Sequence, residues 1–454
     1  MSAEATWFGS PDRPLAGWLH VPDDGRARGA VVICPPLGLE YIPSHRALRL
    51  VAERLAARGF VALRLDYDGT GDSAGGPDDP DRAAALLASI RHAVLEVRSV
   101  AAGAPVALVG LRMGATLAAA WSATADASDL PVSALVMWDA CRSGRAFLRQ
   151  ERSLGLLVGG RDAGDGSIDA PGFHYTADTV RGLSQIGVGL DAVAVPHVLV
   201  LARTENDGAA VLPAMAGVTR DVVHNMSEML DVPSPSSLVA TAGIERLVGW
   251  LDAVLPADVV PARAGGRVEA AVGTGVIERH LRVGPLGLSG VETCPATGGP
   301  ARRAVLLLNN AAEGHVGPVR LWTELARAWA SQGVRSILFD LSGIGDSPTR
   351  PGAADDLIYA PFDEGDVRAV IASGIVGDDP VIVGLCSGAH LALRVGPSTP
   401  SSSVVAVNIA TTLPIEPRPV GPGFDLEIPR GWPRRMLRAV GVSAAGRGLM
   451  RRVE

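Results

Sequence analysis

Short, wholly apolar runs alternate along this chain with amphipathic stretches of helical period. Residues 30–34 (AVVIC) and 304–308 (AVLLL) contain no polar position, the pattern of a strand buried on both faces. Each is followed by a segment with apolar residues three and four apart, HRALRLVAERLAARG around Leu50 and RLWTELARAWASQG around Leu325. These read as helices, and Gly59 and Gly333 stand where each should end in a cap. Second apolar runs follow (FVALRLD and VRSILFD), each leading into a Gly-rich loop that closes on Gly-Asp-Ser. After another helix comes a third run (PVALVGL, PVIVGL), then a tight turn between two glycines and a helix of small residues. Strands alternating with helices predict an α/β fold with a parallel sheet covered on both faces. Turn-bounded short runs near PLAGWLHVP and GLSGVETCP predict an antiparallel start to each sheet.

The two sets of elements are copies. RLDYDGTGDS ends at Ser73 and LFDLSGIGDS at Ser347; GLRMGA begins at Gly110 and GLCSGA at Gly384; in both cases, and for the first strands, the offset is 274 residues. A constant spacing across two strands and an intervening loop marks a duplication. The expected organisation is a first unit over 1–258, a linker over 259–274 and a second unit over 275–454. After its turn the first unit has strands near Ala134–Trp138 and His197–Ala202, a helix near 247–254 and a Gly/Asp-rich lid insertion over 159–189. The second is C-terminally shortened: one more strand near 404–410, a Pro-rich loop, then a tail with seven arginines between Arg430 and Arg452. That tail suits a basic amphipathic helix docking on the first unit, a partner or an anionic membrane surface.

Composition narrows the chemistry. The 41 basic residues are all arginine, which removes lysine Schiff bases and the P-loop lysine. A net charge of −7 argues against nucleic-acid binding, and no stretch is long and apolar enough to span a membrane. Cys34, Cys141, Cys294 and Cys386 are scattered singly, without disulfide or zinc spacing. With no signal-peptide pattern at the start, a cytoplasmic location is expected.

A strand, a Gly-x-nucleophile-x-Gly turn and a helix make a nucleophile elbow. Together with PPLGLEYIPSHRALR and the two GDS loops, both copies resemble α/β-hydrolases of the serine-aminopeptidase-like branch. The chain is similar to the tandem hydrolase-like proteins of bacterial polysaccharide and specialised-metabolite gene clusters. The resemblance implies two α/β-hydrolase-like units, no metal or organic cofactor, and an acid after the 197–202 strand, where Glu205 and Asp207 stand. The family histidine has no counterpart near EMLDVPSPSS; His224 is the nearest.

At the nucleophile position the first elbow has Arg112, which cannot attack a carbonyl and would either bind an anionic substrate group or pair with a nearby acid. The second has Cys386, a nucleophile if something takes its proton, otherwise a small thiol in a decayed elbow. The Ser387 N–H and the loop 309–315, with Ala311 and Asn310, would form the oxyanion site, and Asn309 could polarise a carbonyl there. His315 in that loop is the candidate base, with His174 and His224 as sources across an interface; His390, on the helix after the elbow, is expected to pack or face away. Asp66, Asp72, Asp340 and Asp346 read as turn-forming residues. The expected function is ester or thioester hydrolysis, acyl transfer or acyloxy elimination by a biosynthetic hydrolase, acyltransferase or lyase centred on Cys386. Its partner would be a small-molecule or carrier-bound acyl substrate. The alternative is a non-catalytic pseudo-hydrolase that binds a small molecule or scaffolds a biosynthetic partner. An open edge on a shortened sheet also suits a homo-oligomer, or a second polypeptide supplying the missing strands.

Overall fold

The computed structural model describes residues 2–159, 164–187, 195–204, 217–232, 236–263, 265–297 and 304–409. The first unit is an eight-stranded sheet in the order Ser2–Ser10, Arg13–Val21, Phe60–Leu65, Gly29–Cys34, Val106–Leu111, Ala134–Trp138, His197–Ala202, Val218–Val222. Arg13–Val21 runs antiparallel to both of its neighbours and the later strands are mutually parallel. Alternate residues point to opposite faces. Val32, Leu63 and Leu108 enter a core shared with the helix Arg82–Val100, while Val31, Ala62 and Val109 face the helices Tyr41–Ala57 and Thr241–Val254.

The second sheet has seven strands, Glu269–Gly273, Val276–Val283, Leu288–Pro295, Arg335–Phe339, Ala304–Leu307, Val381–Leu385 and Ser403–Val407. Its parallel strands repeat the crossed order of the first sheet, and His197–Ala202 and Val218–Val222 have no counterpart among the described residues. The linker expectation needs correcting. Residues 269–273 form an edge strand with Ala270 and Val272 turned inward, and Val260–Pro261 pairs with Arg26–Ala27. The cover over the first elbow also starts earlier than expected, with the helix Gly144–Leu157; the hairpin Ile168–Ala170/Phe173–Tyr175 and the helix Ala177–Gln185 follow. The arginine-rich tail, Glu205 and Asp207 lie outside the described residues.

The two units meet reciprocally. The helix Tyr41–Ala57 presents Arg49 to the carbonyls of Gly345 and Ser347 in the second GDS loop. In return Arg320, at the start of the helix Leu321–Ala330, donates to the carbonyls of Gly71, Ser73 and Gly75 at 2.6–2.9 Å, and Arg327 donates to Ser73. Trp7, Ala16 and Ala74 pack with Ala270, Val272, Val276 and Ala330 in one small shared core. The His280 ring stacks on Trp7, and the Arg282 guanidinium lies over Trp18.

Candidate active site

Both elbows keep the strained backbone of a nucleophile turn. Arg112 has φ 53° and ψ −122°; Cys386 has φ 55° and ψ −112°. Such conformations in non-glycine residues cost of the order of 1–3 kcal/mol and persist only when the surroundings enforce them. Here the enforcement is close packing: a Cβ on Gly110 would lie 2.3 Å from the Ala115 Cα, and one on Gly384 would lie 2.1 Å from the Gly388 carbonyl oxygen.

The first elbow is filled by its own side chains. Arg112 Nε donates to Glu40 at 2.9 Å, Nη1 to the Asp139 carbonyl at 3.0 Å and Nη2 to Gln150 at 3.0 Å. Gln150, on the lid helix, also donates to Glu40, and Asp139 accepts from Arg203. Every guanidinium nitrogen is engaged inside the protein, so Arg112 does not present a substrate-binding group. Of the two readings of this residue, the geometry is that of internal pairing. Glu151 and Tyr175 of the lid, 3.0 Å apart, close the space beside it, and burial pushes the Glu151 carboxyl up to about 7.

The second elbow is open. Cys386 is half-buried, and the two residues after it in the turn, Ser387 and Gly388, line a cleft together with Ala311, Leu341, Ile344, Tyr359 and His390. His390 packs, as expected, with its ring edge-on to Tyr359 at 5.5 Å between centroids, but it also lines this cleft rather than facing away. Burial, with Arg394 nearby, pushes the imidazole below its ordinary value, so it is neutral at pH 7. The expected oxyanion site is altered: the Ala311 N–H donates to Ser387 Oγ at 2.7 Å instead of standing free. Asn309 is held by bonds to the Glu313 carbonyl and the Leu341 N–H, whereas Asn310 Oδ1 is buried without a partner among the described residues. The Asn309 amide, with both its ends engaged, does not have the freedom the carbonyl-polarising role requires.

His315 lies elsewhere than its loop position suggested. Its Nδ1 bonds Asp340 at 3.0 Å and its Nε2 bonds Asp72 of the first unit at 2.8 Å, all three side chains buried. Burial alone would push its pKa down, but the two carboxylates override this and hold it well above its ordinary value. With both nitrogens donating, the imidazolium has no lone pair with which to take a proton from Cys386, so the base assignment is corrected. The same bridge, working against burial, holds Asp72 at about 2. On the other side of the interface Asp346, the counterpart of Asp72, bonds His45 at 3.0 Å and pairs with Arg64. Tyr41, the counterpart of His315, donates to Asp66 at 2.7 Å. The aspartates also make the turn contacts expected of them: Asp66 and Asp340 accept the N–H groups of Asp72 and Asp346.

Comparison with known proteins agrees with this geometry. Residues 25–141 match the family model for serine aminopeptidase, S33, and residues 305–453 match that of the alpha/beta hydrolase family. The chain carries two α/β-hydrolase domains in tandem. No curated protein sequence matches it. Among solved structures, Est1E from Butyrivibrio proteoclasticus with bound ferulic acid is 18% identical, with 54% of this chain and 98% of that chain covered and a TM-score of 0.42. The α/β hydrolase GrgF from Penicillium sp. sh18 is 16% identical, with 56% and 99% covered and a TM-score of 0.39. Membership of these families supports a hydrolytic or acyl-processing role. No helix among the described residues is long and apolar enough to cross a membrane.

Two other histidines named from the sequence stand apart from the hydrolase elbows. His174 is exposed on the lid and pairs with Asp169 at 2.7 Å, and His224 is exposed after the strand Val218–Val222. Spacing gave no sign of the Asp72–His315 bridge. The signal available was the offset of 274, which makes Asp72 and Asp346 equivalent; each reaches a histidine of the other unit, His315 and His45 respectively.

Proposed function

We propose that the second hydrolase unit processes acyl groups through Cys386, while the first unit is a non-catalytic partner. The observation that carries this reading is the state of the two elbows: the same strained turn is sealed around a paired arginine in one and borders an open cleft in the other. In this scheme the Cys386 thiol gives its proton to the neutral His390, and the thiolate sulfur bonds to the carbonyl carbon of an ester or thioester. The carbonyl electrons move to oxygen, where the Ser387 and Ala311 N–H groups receive them once the Ser387 hydroxyl turns aside. Collapse breaks the bond to the alkoxide or thiolate leaving group, which takes the proton from His390. Water or an acceptor hydroxyl then releases the acyl group. Cys386 is the nucleophile here and His390 the base; His315 has no chemical step.

The other cysteines provide internal references. Burial pushes Cys34 and Cys141 up to about 12 and raises Cys294 as well. At neutral pH iodoacetamide should therefore alkylate Cys386 first. Incubation with butanoyl-N-acetylcysteamine should add one acyl group by intact mass, absent from Cys386→Ala. Uniformly slow labelling with no acyl adduct would transfer the whole chain to the non-catalytic reading, which the internally paired Arg112 favours for the first unit.

A further inference from the structure

The cleft beside Cys386 contains one polar group that no contact explains. Its wall is mixed, with Leu341, Ile344, Ile358 and Leu391 on the apolar side and Ser387, His390 and Arg394 among the polar residues. Asp363, the first residue of the helix Asp363–Ala372, lines the same cleft and is only 8% exposed. Its backbone N–H donates to the Ala360 carbonyl at 3.1 Å, and the carboxyl Oδ1 has no partner among the described residues. The charged groups around it are already committed. Arg394 pairs with Glu364 at 2.7 Å, and Asp366 is held by Arg350 and the Ser342 N–H. A buried acceptor without a partner, on a side chain that lines a cleft, is the arrangement that a ligand hydrogen bond completes.

We infer that Asp363 is a specificity-determining residue that hydrogen-bonds a hydroxyl group on the acyl chain, making hydroxyacyl esters or thioesters the substrate class. This rests on the acyl-processing reading of the cleft. A hydroxyl is the group that fits both protonation states of the carboxyl, donating to the carboxylate and accepting from the acid. Both states matter at neutral pH, because burial lifts Asp363 to about 7. A carbonyl would suit only the acid, and an ammonium only the carboxylate.

Binding tests this independently of turnover. Full-length Cys386→Ala is titrated calorimetrically with hexanoyl-N-acetylcysteamine and with its 3-, 4- and 5-hydroxy derivatives, the position series covering the unknown depth. At least one hydroxylated thioester should bind about tenfold more tightly than the parent, the value of one hydrogen bond to a charged group. Adding Asp363→Ala should erase that advantage and leave parent affinity within about twofold, while Asp363→Asn should retain part of it. Equal binding of all four thioesters, no binding by any, or an advantage that survives Asp363→Ala would overturn the assignment. An acyl adduct on wild-type Cys386 without hydroxyl preference would remove Asp363 alone. Hydroxyl preference without any adduct would remove the chemistry and leave the binding site.

Discussion

Replacing His315 by alanine separates the two roles that its loop position suggests. In the folded chain its imidazolium joins Asp72 of one unit to Asp340 of the other, at 2.8 and 3.0 Å. Removing it leaves two buried carboxylates facing each other without a cation, a change that costs about 3–5 kcal/mol in buried pairs. Asp340 would keep the N–H of Asp346 and the backbone N–H of residue 315, whereas Asp72 Oδ1 already has no partner among the described residues. The loss therefore falls mainly on Asp72, and about 3 kcal/mol is expected. For units of this size that lowers the melting midpoint by the order of 10 °C. A general base would behave oppositely, with turnover falling by roughly 10²–10⁴ and little change in stability. The assay is calorimetric melting together with the rate of Cys386 acylation well below the midpoint. A midpoint within about 2 °C of wild type, with acylation down a hundredfold or more, would refute the bridge and restore His315 to the chemistry. A double-mutant cycle with Asp72→Asn should give a coupling within roughly 0.5–3 kcal/mol.

The bridge also fixes a pH signature, read as the urea-midpoint difference between wild type and His315→Ala. A raised histidine stabilises fully below its unfolded value near 6.5 and less as pH climbs through its higher folded value, while Asp72 at about 2 loses its contribution as pH falls below about 4. The difference should therefore be largest between about pH 4 and neutrality and shrink on both sides; a difference that grows with alkalinity would contradict the assignment. Arg112→Met should destabilise the first unit by about 3–5 kcal/mol by stranding Glu40, with Cys386 alkylated at an unchanged rate. Weaker substrate binding with unaltered melting would instead make Arg112 a substrate contact.

What could be read from residue order was whatever recurs locally. Wholly apolar runs marked the strands ending at Cys34 and Leu307 and a period of 3.6 the helices after them, and Gly59 and Gly333, just beyond those helices, have positive φ. The elbows were visible because a strained turn needs its glycines at fixed positions. The strand at 269–273 was missed because Glu-Ala-Ala-Val-Gly is short and weakly apolar, and only its packing on the first unit gives its alternation meaning. His315 was misassigned for a related reason. Its partner Asp72 is 243 residues away, and reasoning within one copy cannot see a contact made between copies. Asp363 belongs to no motif in the sequence; what sets it apart is that Oδ1 has no partner among the described residues, which is a property of burial.

The interface explains how one elbow could be lost without losing the unit that bears it. In a symmetric pair of identical chains, each GDS loop would meet the same residue of its neighbour, and a change there would be felt twice. Fused in one chain, the two contacts have separated: Asp72 meets a histidine clamped by Asp340, while Asp346 meets His45 and Arg64. The shared core of Trp7, Ala16 and Ala74 with Ala270, Val272, Val276 and Ala330 makes the first unit part of the second unit's wall. That role requires the first unit to fold, not to react, and an arginine held by Glu40, Gln150 and Asp139 meets it better than an unpartnered nucleophile would. On the proposed reading, the first unit's contribution to function is mechanical. Weakening the Asp72 contact should reach Cys386 only through the position of the loop 309–315, which carries both His315 and the Ala311 N–H against Ser387.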